Sequence, residues 1–193
     1  YEALCANTTG DNNTAVGYQA LKLATTSKFN VAMGNQALLA NTTACCSTAI
    51  GWRAVCSQTT GCKSVGIGYH ALLKVTTGIS NVALGDVAGD AITTGNQNVA
   101  LGSAAIGSVT TGSNNVAIGQ NSAGGGLITG SNNITIGQNS GGDAMRSLAS
   151  SSSNEIVMGN TNHTVAYIKI DWTVQSDLRD KTEIKNVTHG LDF

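Results

Sequence analysis

Proline is absent from the 193 residues, and aromatic side chains make up only 4% of them. Charged residues account for 11%, against about 25% in an ordinary globular domain. Gly, Ala, Thr, Asn and Ser together fill more than half of the chain. A conventional core of bulky side chains cannot be built from such a set. Ten basic residues against eleven acidic ones leave a formal net charge of −1, which excludes the basic patch that nucleic-acid binding needs. There is no apolar run long enough to span a bilayer and no signal-peptide pattern, so membrane insertion is not expected. The chain starts without Met and in the middle of a repeat, and is read as a piece of a longer protein. Its hydrophobic share, 41%, is too high for a charged, disordered segment. Small residues, many glycines and moderate hydrophobicity together point to a repetitive structure.

The repeat is explicit. A VAIG-type block places its glycine at Gly17, Gly34, Gly51, Gly68, Gly85, Gly102 and Gly119, each 17 residues after the last, and further copies at Gly137 and Gly159. The unit reads TTGxxNVAIGxxAxxxx. Four residues before the glycine stand Asn13, Asn30, Ser47, Ser64, Asn81, Asn98, Asn115 and Asn133. A mostly Val column and a mostly Ile or Leu column flank a column of small residues, chiefly Ala. This alternation has period two, so the block is a short strand with its large apolar columns on one face and Ala on the other. A second short strand is expected around Ala20, Ala37, Ala54, Ala71, Ala88 and Ala105. A 17-residue period is too short for the common helical repeats. It fits one coil of a parallel β-solenoid, with coils stacked about 4.8 Å apart. The inward side chains of such a coil are small, and one chain leaves an apolar stripe facing water. Such a stripe usually marks an association site, so an oligomer is expected.

Among the five cysteines, Cys5, Cys45, Cys46, Cys56 and Cys62, Cys45 and Cys62 share a column in adjacent coils. That places them within disulfide range, although reduced thiols acting as small buried hydrophobes are the simpler reading. No zinc-type spacing occurs, the three histidines lie in different phases of the repeat, and no metal or cofactor is expected. One residue after the glycine come Tyr18, Asn35, Trp52 and Tyr69, with Arg53 and His70 beside them. Aromatic faces next to polar groups can bind sugars, so Tyr18, Trp52, Arg53, Tyr69 and His70 are the receptor-binding candidates. In the Thr-Thr pairs only one residue can face out of an extended chain. The Asn columns read as side-chain ladders serving the backbone of the turns.

The unit TTGSNNVAIGQNSAG resembles the head repeats of YadA-like trimeric autotransporter adhesins over residues 1–160. That resemblance implies an all-β, left-handed parallel β-roll that assembles as a homotrimer. Residues 1–153 carry eleven charges and residues 154–193 carry ten, which marks a change of character. After it, HTVAYIKIDWTV reads as a connecting strand within 161–176. The segment 177–193 belongs to SDLRDKTEIKNVTHGLDF, which resembles the start of the intramolecular chaperone domain of phage endosialidase tail spikes and neck appendages. The resemblance is carried by Trp172, Ser176, Asp177, Arg179, Lys181 and Ile184. It implies a trimeric chaperone that assembles a fibre and then cuts itself off between Ser176 and Asp177. Ser176 would be the nucleophile, Lys181 its base, and Glu183 an acidic residue of the same segment. Asp180 stands where that family has an apolar residue. With most of that domain lying beyond Phe193, self-cleavage of this stretch is not expected.

These readings converge on a structural and adhesive segment of a phage tail fibre or spike, located on the virion. Its partners would be two further copies of itself, other fibre or virion proteins, and a host cell-surface glycan or protein receptor. A bacterial trimeric adhesin head on the cell surface is the alternative. An enzyme is not expected, because the repeats offer no recurring carboxylate pair of the kind glycoside hydrolysis uses.

Overall fold

The computed structural model describes residues 1–142 and 148–164. The chain divides after His163, and the unit Tyr1–His163 is a β-solenoid. Among the described residues its nine strands, each of three residues, are β1 (Thr14–Val16), β2 (Val31–Met33), β3 (Thr48–Ile50), β4 (Val65–Ile67), β5 (Val82–Leu84), β6 (Val99–Leu101), β7 (Val116–Ile118), β8 (Ile134–Ile136) and β9 (Ile156–Met158). They form one sheet in chain order, every pair parallel. The register follows the repeat, with Ala15 opposite Ala32, Ala32 opposite Ala49 and Ala83 opposite Ala100. The 17-residue spacing therefore becomes one coil, as the sequence predicts.

The second strand predicted for each coil does not form. The stretch after the glycine runs through turns instead. The reason is conformational: three columns of each coil take the left-handed backbone region with side chains that seldom visit it. In the coil of β3 these are Arg53, Val55 and Lys63, and in the coil of β4 His70, Leu72 and Ser80. Reversing the sign of φ at alternate residues aims alternate amides at opposite neighbours, while the amide between them bonds within its own coil. His70 N–H donates back to Trp52 O (3.0 Å), and Leu72 N–H donates forward to Ala88 O (2.9 Å). The strain is offset by backbone hydrogen bonds repeated between coils.

The core is narrow and layered. The central Ala of the strands, the Ala three residues after the glycine and the Leu, Val or Ile after that are fully buried. The small inward residues let the two walls of the coil approach closely. Where one departs from the pattern its neighbour follows. Gly66 replaces the central Ala in β4, and an added Cβ there would lie 2.5 Å from Val55 Cγ2. Val55 itself replaces the Leu of neighbouring coils, and its branched side chain fills the space that the missing methyl leaves.

Polar ladders tie the coils. Thr59 Oγ1 donates to Thr76 O, and Thr76 Oγ1 to Thr93 O, each at 3.3 Å. The second Thr of each pair, such as Thr60 and Thr77, faces outward. From Asn81 to Asn133 the buried Asn column is a continuous ladder: Asn98 Nδ2 donates to Asn81 Oδ1 (3.1 Å) and to Gly112 O (2.9 Å). Asn98 Oδ1 in turn accepts from the backbone N–H and the side-chain Nδ2 of Asn115, both at 3.0 Å.

Candidate functional site

The strands turn their large side chains outward. The central Ala is buried, while Met33, Leu84, Ile118 and Met158 at the third position are exposed, and the Val column at the first position is mostly half-buried. Leu84 keeps 50% of its surface in contact with solvent and Met158 53%. The third-position column is apolar in every strand, and the first-position column beside it is apolar except at Thr14 and Thr48, far more contiguous apolar surface than scattered exposed residues would give.

A second surface feature lies just beyond the repeat glycines. The next residue of each coil points out, and in successive coils that column holds Tyr1, Tyr18, Asn35, Trp52, Tyr69 and Asp86. Parallel register stacks the rings. Trp52 and Tyr69 lie with centroids 4.9 Å apart, Trp52 and His70 4.6 Å apart. Tyr69 and His70 are 4.1 Å apart, and the Arg53 guanidinium sits 5.7 Å from the Trp52 centroid. Four of the five receptor-binding candidates, Trp52, Arg53, Tyr69 and His70, therefore form one cluster. The fifth, Tyr18, stacks on Tyr1 instead at 5.7 Å, and Asn35 interrupts the column between the two groups. Stacking covers ring faces, so the cluster offers a ligand mainly edges, polar tips and the outer faces of the stack.

The electrostatics of the cluster centre on His70. Burial, followed by the nearby Arg53 charge, holds its pKa below the usual 6.5, against the opposing pull of Asp90 and Asp86. Its Nε2 and the Nε of Arg53 are closed off from solvent without a hydrogen-bond partner. Asp90, which is not among the receptor-binding candidates read from the sequence, is pushed above its usual 3.8 by burial. A sign follows for pH. The folded state takes up a proton at His70 less readily than the unfolded chain, so stability falls as pH drops from about 6.5 through the lowered folded value. Asp90 acts oppositely, favouring the folded state on acidification from its raised value down toward 3.8. Thermal unfolding followed from pH 7.5 to 5 should show the acid-side loss, and His70→Gln should remove it.

The cysteines differ from the buried-thiol reading. All five are free; Cys56 is buried, but Cys45 and Cys62 are half-buried at the surface and Cys46 is exposed. Cys45 Sγ lies 3.3 Å from Cys62 Sγ. Two positions were not legible in sequence at all: Asn41 and Gln58 occupy a core column in adjacent coils, fully buried, with none of their side-chain amide atoms hydrogen-bonded. Trp172, Ser176, Asp177, Lys181 and Glu183 lie outside the described residues. Among the described residues no three His, Cys, Asp or Glu side chains are grouped to hold a metal ion, and no helix is long and apolar enough to cross a membrane. Comparisons with models of known protein families, with curated proteins and with solved structures give no match for the chain.

Proposed function

We propose that the chain is a trimeric structural and adhesive segment of a phage tail fibre or spike, which projects from the particle and contacts the host surface. The observation that carries this reading is the double apolar column on the outside of the sheet. A solenoid with a core this thin gains most from burying that stripe, and further copies of the same chain supply a matching stripe in the same 17-residue register. The tail sequence from Trp172 to Ile184 supports the phage setting, since it resembles an assembly chaperone joined to fibres. Host contact is assigned to the Trp52, Arg53, Tyr69 and His70 cluster, where exposed rings and a cation lie together. Rings and Arg of this kind anchor interfaces with both glycans and proteins.

Adsorption of labelled protein to a panel of bacterial cells tests the reading. Trp52→Ala should weaken adsorption to a responsive strain by about tenfold or more, the cost expected of one anchoring aromatic, while leaving the solution mass unchanged. Adsorption equal to that of the parent protein would remove the cluster from the recognition surface.

A further inference from the structure

The thiols of Cys45 and Cys62 occupy a column in which backbone amides seek side-chain acceptors. In later coils this column is served by oxygen. Ile79 N–H donates to Asn96 Oδ1 (2.9 Å), Asn96 N–H to Ser113 Oγ (3.0 Å) and Ser113 N–H to Ser131 Oγ (3.0 Å). Cys62 takes the same position, and its sulfur accepts from Cys45 N–H at 3.2 Å. Cys45 Sγ also donates to it at 3.3 Å. Two donors therefore converge on Cys62 Sγ, whose own thiol is directed at Thr60 O at 3.6 Å, so the two sulfurs are held in contact with the Cys45 proton engaged between them. Neither thiol is sealed in the core.

We propose that Cys62 and Cys45 form a thiol–disulfide exchange site that takes small-molecule disulfides of the glutathione type, with Cys62 as the attacking sulfur and Cys45 as the resolving one. Cys62 thiolate attacks one sulfur of the small disulfide, forming a mixed disulfide and expelling one small thiolate, which takes up the proton that Cys62 released. Cys45 then loses its proton, attacks Cys62 Sγ and expels the second small thiolate, which takes up that proton. The two protein thiols are oxidised to one disulfide, and the small disulfide is reduced to two thiols. The order of attack follows from the geometry. Hydrogen bonding to Cys62, then to Cys46, and then burial push the Cys45 thiol up to about 12. It therefore holds its proton until Cys62 is capped and the largest of these causes is gone. The product is a covalent staple between the coils of β3 and β4, absent in a reducing cytosol and formed in an oxidising medium.

The test is incubation of the intact chain with glutathione disulfide, followed by mass measurement and tryptic mapping under non-reducing conditions. The expected result is a loss of about 2 Da per chain, the signature of one internal disulfide, with peptide 29–53 joined to 54–63 through Cys45 and Cys62. Cys45→Ser should trap glutathione on Cys62. Cys62→Ser should abolish the internal bond, because no sulfur is left within reach of Cys45 in the next coil. Circular dichroism confirms that each variant is folded, and the parent map stands without them. Pairing of Cys45 with Cys46, or glutathione confined to exposed Cys5 and Cys46 while Cys62 stays free, would overturn the proposal.

Discussion

Gly85→Ala is expected to disrupt the middle of the solenoid, at a cost of about 4 kcal/mol or more. Gly85 has φ of +140°, a region closed to residues with a Cβ. An added Cβ would lie 2.7 Å from the carbonyl carbon and oxygen of Gly102 and 3.0 Å from Ser103 N. All three are backbone atoms of the next coil, so no side chain can rotate away. The same column continues through Gly68, Gly51 and Gly34 with the same conflict, and the only relief is to separate coils. Because each coil contacts only its neighbours, the damage should be regional. Hydrogen exchange should lose protection around β5 and β6 while β1 to β3 stay protected. Gly107→Ala provides the contrast. Its φ is ordinary, its one tight contact is Ala104 O at 3.1 Å, and the same column elsewhere holds Leu39, Cys56, Leu73 and Asp90. That variant should melt close to the parent protein.

Asn98→Ala should be the second large loss, about 3–5 kcal/mol. The side chain donates two hydrogen bonds and accepts two, and all four are buried between coils. Truncation leaves the backbone N–H of Asn115 without its acceptor and breaks a ladder that runs from Asn81 to Asn133. The chain itself supplies an intermediate case. Ser47 and Ser64 hold this column in the coils of β3 and β4, where Ser47 Oγ still accepts from Ser64 N–H at 3.3 Å. Asn98→Ser should therefore fall between the parent protein and Asn98→Ala. Denaturant unfolding of the three proteins checks the order. Equal stability of Asn98→Ala and the parent would mean that the ladder contributes nothing to holding the coils.

The fold was legible because its signal is a period. A glycine every 17 residues, with Val-Ala-Ile before it, fixes both coil length and in-register stacking, and the nine parallel strands follow that register. The inward face was legible for the same reason: the Ala column is buried and its larger neighbours are not. What failed was the second strand. Leu21, Leu38 and Leu72 look like ordinary apolar strand residues, yet all have positive φ. Nothing in a leucine announces that conformation. It is imposed by the hydrogen-bonding needs of coils above and below. The aromatic cluster was legible as a column, because parallel stacking places Trp52 over Tyr69. The grouping of Tyr18 with Tyr1 was not, because the intervening Asn35 makes no ring contact. The buried pair Asn41 and Gln58 was hidden for the opposite reason. Polar residues in so polar a repeat raise no flag until burial is known, and the other buried members of the column they share include Ala24, Val75, Ile92 and Val109.

The solution mass of the intact chain, measured by light scattering on a size-exclusion column, tests most directly whether the outward apolar columns are an interface between copies. A trimer near three times 19.5 kDa is expected. Leu84→Glu, which puts a charge into the middle of the stripe, should shift that mass toward the monomer. A parent chain that remains monomeric at high concentration, with its apolar columns in water, would contradict that interface.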